Sequence, residues 1–312
     1  MKAYINNFYI ESKRIDKDVT IACISDLHLC KEKFSYDNVW KVINVLKNNY
    51  FDYLLITGDI VNNVNDFFYS DFSNDFRELV ARLSQDRLCF FTFGDHDLMT
   101  MKDGKWIRGD SRLLVDNLSI LPNVVILDGF SHFSLNNQEL LKKGYSTSSI
   151  NVVGTSLPFD FYVKDKESYE SFVNYLSKME QKNCYDYDSY NILMLHALKN
   201  FINLSRDNVG ILYDIDLALG GHYHNGCIPN GISSIFSGNG GILSPQKNLF
   251  PNDVRGLVKV DNVSIYMGGY VNFRVENKNL NRIVGNPSVA FFHLYPSEKY
   301  VNNVTIKRVR HL

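Results

Sequence analysis

No stretch of this 312-residue chain is apolar enough, for long enough, to be read as a membrane span. Its first twenty residues, MKAYINNFYIESKRIDKDVT, hold no signal-peptide core. Cysteine is sparse: Cys23, Cys30, Cys89, Cys184 and Cys227 are scattered without a CxxC pair. That odd, unpatterned set argues against a disulfide framework and for a reducing compartment. The cytoplasm is therefore the expected location. Charge of one sign is missing too, since 33 basic residues face 34 acidic ones for a net charge of −1. No global field attracts nucleic acid, no basic stripe marks a nuclease, and no like-charged block reads as a disordered tail. A Pro/Gly/Ser-rich linker and internal repeats are also absent. Residues 1–312 are accordingly expected to form a single domain, β-rich from about residue 221.

What is present is ample core material, 45% hydrophobic residues and 13% aromatic. Short apolar runs alternate with amphipathic stretches, the pattern of an α/β fold. Strands are expected at 19–24, 53–57, 88–93, 124–127, 150–153, 192–195 and 217–219. Helices are expected at 36–46, 72–83, 112–118 and 168–179, from apolar residues at helical spacing such as Val39, Trp40, Ile43 and Leu46. Beyond Gly221 the chain turns to strands at 232–236, 257–260, 264–267, 289–294 and 304–309.

Residues with metal-binding chemistry stand where strands end. Asp26 and His28 lie in ISDLHL, Gly58 and Asp59 in LLITGD, and Gly94, Asp95, His96 and Asp97 in FTFGDHD. His196 ends LMLH, and His222 and His224 lie in GGHYH. In open α/β sheets ligands bind outside the carboxyl ends of the strands, so these segments can converge on one crevice. Imidazole nitrogen and carboxylate oxygen suit Mn, Fe, Zn or Co, and the lack of thiolate argues against a structural zinc site. The single spacer in each of Asp26-x-His28 and His222-x-His224 puts both members on one side of an extended segment. Taken singly, each motif has an ordinary reading as a helix cap, a turn or a charged loop; it is their ordered recurrence after apolar runs that points to one site. His132, His293 and His311 lack such company and are expected to be ordinary residues. Tyr223 and Asn225 are candidate substrate contacts. Asp160, Phe161, Tyr162, Lys247 and Arg255 are candidates too, with ordinary surface roles as the alternative. Tyr36, Phe67 and Phe68 are read either as a wall beside Asp26 and Asp59 or as local packing.

With these residues in order, the sequence resembles the calcineurin-like metallophosphoesterases, whose pattern runs D-x-H, G-D, G-N-H-[DE], H and G-H-x-H. The tail from Arg255 through Gly268 and Gly269 to His293 and Leu294 is similar to the subgroup related to UDP-2,3-diacylglucosamine pyrophosphatases. The resemblance implies two mixed β-sheets packed as a sandwich and flanked by helices. It also implies two divalent metal ions, manganese first, with iron or zinc as alternatives. Asp26, His28 and His224 would hold one ion, Asp95, His196 and His222 the other, and Asp59 both. A metal-bridging hydroxide would attack a small phosphate ester, making the chain a phosphodiesterase or pyrophosphatase. His96 would serve the leaving oxygen, and Asp97 would accept the other ring proton of His96. No protein partner is indicated. One departure stands out: the family has Asn where this chain has Asp95. An ionised carboxylate can ligate a metal but, unlike an amide, cannot donate to phosphate. Asp95 is the one feature favouring the alternative, a catalytically weak metal-bearing scaffold that binds a protein partner.

Overall fold

Apolar runs bounded by turns pair into two six-stranded sheets and a small hairpin. The computed structural model describes residues 3–103, 105–136, 138–144, 147–163, 169–207, 214–229, 238–244, 248–268, 270–273, 279 and 287–297. The strands expected at 232–236 and 304–309, and Lys247, Gly269 and His311, lie outside them. In chain order the strands are β1 (Tyr4–Ser12), β2 (Val19–Ile24), β3 (Tyr53–Thr57), β4 (Cys89–Thr92), β5 (Met99–Lys102), β6 (Lys105–Arg108) and β7 (Val124–Ile126). They continue with β8 (Ser131–Ser134), β9 (Ile150–Gly154), β10 (Tyr190–Met194), β11 (Leu217–Gly220), β12 (Gly256–Val260), β13 (Val263–Met267) and β14 (Ser288–Pro296).

The first sheet has the order β1-β14-β2-β3-β4-β7, with β2, β3, β4 and β7 mutually parallel and β14 antiparallel to β2. The second has the order β12-β13-β11-β10-β9-β8, parallel through β13, β11, β10 and β9 and antiparallel at both edges. Alternate residues fill the space between them. Ile21, Cys23, Tyr53, Leu55 and Phe90 from the first sheet share a core with Val152, Ile192, Met194, Leu217 and Leu219 from the second. The opposite faces bury helices. Ala22, Ile24, Leu54 and Ile56 lie with Val39 and Ile43 of helix Tyr36–Lys47 and Phe72 and Phe76 of helix Ser70–Ser84. Val153, Leu193 and Ala218 lie with Phe172 of helix Tyr169–Leu176 and Phe201 of helix Lys199–Arg206. Burial on both faces is why β3 is apolar throughout rather than alternating. The architecture is the helix-flanked sandwich of mixed sheets that the family resemblance implies.

Several elements depart from the sequence expectation. β1, the β5–β6 hairpin, β8 and helix Lys199–Arg206 were not foreseen. The expected helix at 168–179 is instead Tyr169–Leu176 followed by Lys178–Gln181. Trp40 is not on the buried stripe of its helix: it is 38% exposed, with the Arg82 guanidinium 5.2 Å from its ring centre. None of the five cysteines forms a disulfide among the described residues. Among the described residues no helix is long and apolar enough to cross a membrane.

Candidate metal centre

Parallel strands that end together place their following loops on one rim. Asp26 and His28 follow β2, Asp59 follows β3, and Asp95, His96 and Asp97 follow β4, while His196 follows β10 and His222 and His224 follow β11. Asp26, His28, Asp59 and His224 each offer one ligand atom, all within 4.8 Å of one another, and Asp59, Asp95, His196 and His222 do the same. Asp59 belongs to both groups.

The backbone that achieves this is not extended, contrary to the spacing argument for the two paired motifs. Asp26 (φ 53°), His28 (φ 43°), Asp59 (φ 51°), His222 (φ 67°) and His224 (φ 46°) all occupy the left-handed region. Non-glycine residues enter that region at a cost, and such residues gather at functional sites. Alternate left-handed residues turn each loop sharply as it leaves its strand, so both members of a pair reach one cluster. Gly58 (φ 93°) and Gly94 permit the closest approach. A Cβ on Gly58 would lie 2.6 Å from His196 Nδ1, and one on Gly94 would lie 2.7 Å from His196 Cδ2.

Hydrogen bonds fix the ligands' orientation and protonation. Asp26 accepts from the His222 backbone N–H at 3.1 Å, and Asp59 Oδ1 accepts from that of His96 at 2.9 Å. His196 Nδ1 donates to the Thr57 carbonyl at 2.7 Å. A carbonyl only accepts, so Nδ1 carries a proton and Nε2 is the atom turned toward the carboxylates. That atom lies 3.1 Å from Asp59 Oδ2 and 3.4 Å from Asp95 Oδ1, yet makes no hydrogen bond among the described residues. Carboxylate oxygens crowded around one imidazole nitrogen hold either a second proton on that nitrogen or a cation in its place. His224 Nε2 is 3.2 Å from Asp26 Oδ1 and 3.3 Å from His28 Nε2, and His222 Nδ1 is 3.0 Å from Asp95 Oδ1.

The electrostatics follow from the same crowding. Burial alone would keep His196 neutral, but Asp59, Asp95 and Asp26 outweigh it and hold the ring's pKa well above the imidazole range. Burial would likewise raise Asp26, Asp59 and Asp95. His224 overrides it at Asp26, His222 at Asp95, and His196 overrides both burial and Asp95 at Asp59, so all three lie below the usual carboxylate range. Burial, aided by His96, pushes His28 down to about 3, which leaves it a neutral ligand. Nitrogen and oxygen donors with charge to neutralise fit two borderline divalent cations.

Beside this cluster His96 lies edge-on to His28, with ring centres 4.6 Å apart, and to Trp106, 4.9 Å away. Its Nδ1 donates to the Asn62 carbonyl at 2.9 Å. Asp97, expected to accept that proton, is instead a backbone clamp. Its Oδ1 accepts from the N–H groups of Ile60 (2.9 Å) and Val61 (3.0 Å), and its Oδ2 from Gly94 (2.9 Å). Burial and the nearby Asp59 push its pKa up to about 7. Tyr223 is no cleft residue either: it is 4% exposed and packs in the core behind the second sheet. Asn225 is left-handed (φ 51°) in the turn His224–Cys227, where its Oδ1 faces Gly268. Tyr36 and Phe67 pack in the core, and Phe68 is exposed. Tyr162, in helix Asp160–Val163, does reach the centre, its ring 5.7 Å from that of His222.

Sequence reasoning missed Trp106, Asn272, Tyr270 and Phe273. Asn272, fully buried, donates through Nδ2 to the Leu27 and Ser35 carbonyls at 2.6 and 2.8 Å, holding the loop between Asp26 and His28. Tyr270 stacks on His224 at 5.7 Å, and Phe273 meets it edge-on at 5.3 Å. None of these stands at a strand end in a recognisable motif, and that was the signal the search relied on.

The sequence profile described as calcineurin-like phosphoesterase matches residues 19–226. Among curated proteins none matches the chain. Similar solved structures include a dimetal phosphatase from Danio rerio (TM-score 0.46, 11% identity, covering 94% of this chain and 96% of that one). They also include the phosphopantetheinyl hydrolase of Mycobacterium tuberculosis (TM-score 0.40, 15% identity, 91% and 98%). A third is the NAD nucleotidase of Haemophilus influenzae (TM-score 0.42, 14% identity, 82% of this chain), of which this chain spans 46%.

Proposed function

The chain belongs to the calcineurin-like phosphoesterases and is a metal-dependent phosphoric ester hydrolase; from that premise we propose that it is a dinuclear phosphodiesterase or pyrophosphatase acting on a small phosphate ester. The observation that carries this is Asp59, whose carboxylate is common to two four-residue ligand groups. In this proposal Asp26, His28 and His224 hold one cation, Asp95, His196 and His222 the other, and Asp59 both. Manganese is the first choice, with iron or zinc as alternatives. The cytoplasm is the proposed compartment, supported by five cysteines that form no disulfide among the described residues. Residues 1–312 act as one domain, supported by the insertion of β14 between β1 and β2.

When bound, two divalent cations offset charge on the phosphoryl oxygens and lower the pKa of bound water to about 7. The protein's own groups do the rest. His96, its ring oriented by the Nδ1 bond to the Asn62 carbonyl, would give a proton or hydrogen bond to the departing oxygen. Thr57 fixes the tautomer of His196. Asp97 fastens the loops after β3 and β4 together through Ile60, Val61 and Gly94.

Turnover of a chromogenic phosphodiester with added Mn²⁺, together with the metal content of the loaded protein, tests this. Two equivalents of metal and turnover are expected; metal binding without turnover toward phosphodiesters, nucleoside diphospho-compounds, cyclic nucleotides or phosphomonoesters would favour the scaffold alternative. Asp95→Asn removes one negative charge and restores an amide donor. It is expected to bind Mn²⁺ more weakly and to lower KM, and unchanged values of both would show that Asp95 tunes neither.

A further inference from the structure

We infer, building on the phosphoesterase reading above, that Tyr162 is a substrate-contacting residue whose hydroxyl donates a hydrogen bond to a phosphoryl oxygen seated beside His222 and Asp95. The starting observation is an unpaired phenol. Tyr162 Oη is buried and has no hydrogen-bond partner among the described residues, an arrangement that carries a standing cost unless something arrives to pair with it. Helix Asp160–Val163, in the connection that follows β9, sets the ring 5.7 Å from that of His222 and 6.5 Å from that of His196.

The ligand chemistry at that end explains what the hydroxyl is for. Asp59 and Asp95 can only accept when ionised, and His196 spends its Nδ1 proton on the Thr57 carbonyl. Asp95 Oδ1 is already engaged by His222 Nδ1 at 3.0 Å. With Asp59, Asp95 and His196 turned toward the cations they would hold, a phosphoryl group seated at this end can take a protein hydrogen bond from Tyr162. A phenol is protonated at neutral pH, so the hydroxyl can donate a hydrogen bond without transferring its proton. His96 lies at the other end of the centre, edge-on to His28. The two donors thus flank the phosphoryl group, His96 toward the leaving oxygen and Tyr162 toward a non-bridging one. The amide donor that Asp95 does not supply is replaced by a phenol from the connection that follows β9.

Tyr162→Phe removes one oxygen and leaves the ring in place. Three readouts on the Mn²⁺-loaded protein separate a substrate contact from a packing role. Calorimetric affinity for inorganic phosphate is expected to fall about tenfold or more, the scale of a hydrogen bond to a charged group. kcat/KM for the chromogenic diester should fall by a similar factor, while Mn²⁺ stoichiometry stays unchanged. The Tm of the phosphate-free protein should hold or rise, because an unpaired buried hydroxyl has been removed. Equal phosphate affinity in the variant and the parent would overturn the inference, as would a fall in phosphate-free Tm with no loss of phosphate affinity. A parent protein that loads Mn²⁺ but neither binds phosphate nor turns over any ester would overturn the phosphoesterase proposal itself, and Tyr162 with it.

Discussion

His96 meets the rings of His28 and Trp106 edge-to-face and donates from Nδ1 to the Asn62 carbonyl, so the orientation of its ring is fixed. His96→Ala should leave the metal content intact and cut the rate by about 10²–10⁴, the usual worth of general acid assistance. The loss should concentrate on esters with poor leaving groups, measured as kcat/KM against leaving-group pKa. Loss of metal in that variant would instead mark His96 as a ligand. A second residue-scale prediction concerns His196. Its pKa is raised in the metal-free protein, so the ring carries a second proton at pH 7, and a metal ligand must shed it. Mn²⁺ binding at pH 7 should therefore release about one proton and weaken as the pH falls. Calorimetry in buffers of different ionisation enthalpy reads this directly, and heats independent of buffer would contradict it.

At the scale of elements, the loops that reverse immediately after β2, β3 and β11 set the positions of most ligands, and Gly58 is the tightest of these joints. Gly58→Ala would drive a Cβ into His196 and the backbone of Gly94 at a φ of 93° that alanine resists. The expected result is loss of one metal equivalent and a lowered Tm, whereas full metal content would show that the loops tolerate displacement. These joints also explain how much was legible in advance. The buried parallel strands β2, β3, β4, β10 and β11 are short continuous apolar runs, so their ends, and the ligands just beyond, stood out in the sequence. Elements with mixed faces did not. β1 buries only Phe8 and Ile10 and reads YINNFYIES, and β6 reads KWIR with its residues largely exposed. Trp106 was therefore hidden although it touches His96. The Asp97 role was misassigned for a related reason: spacing gives adjacency to His96, whereas the three backbone N–H groups it serves come from two loops joined only in three dimensions. Tyr223 sits between two ligands in sequence, but the left-handed residues on either side turn its ring into the core.

For the molecule as a whole, the centre concentrates three carboxylates and four imidazoles at the ends of strands from two sheets, a set of donors suited to bound cations. Metal binding should therefore stabilise the fold by mass action, by about 2.7 kcal/mol when free Mn²⁺ is a hundred times its Kd. Chelation should lower the Tm accordingly, and an unchanged Tm would mean that the sheets do not feel the site. The strand order has a consequence for assembly. β14 lies between β1 and β2, from Tyr4 opposite Ser288 to Ser12 opposite Pro296 on one side and against Val19 to Cys23 on the other. During synthesis the first two strands leave the ribosome long before the strand that belongs between them, and so does the Asp26 loop that Asn272 later secures. Every ligand loop, after β2, β3, β4, β10 and β11, is therefore made before the strand that completes the first sheet.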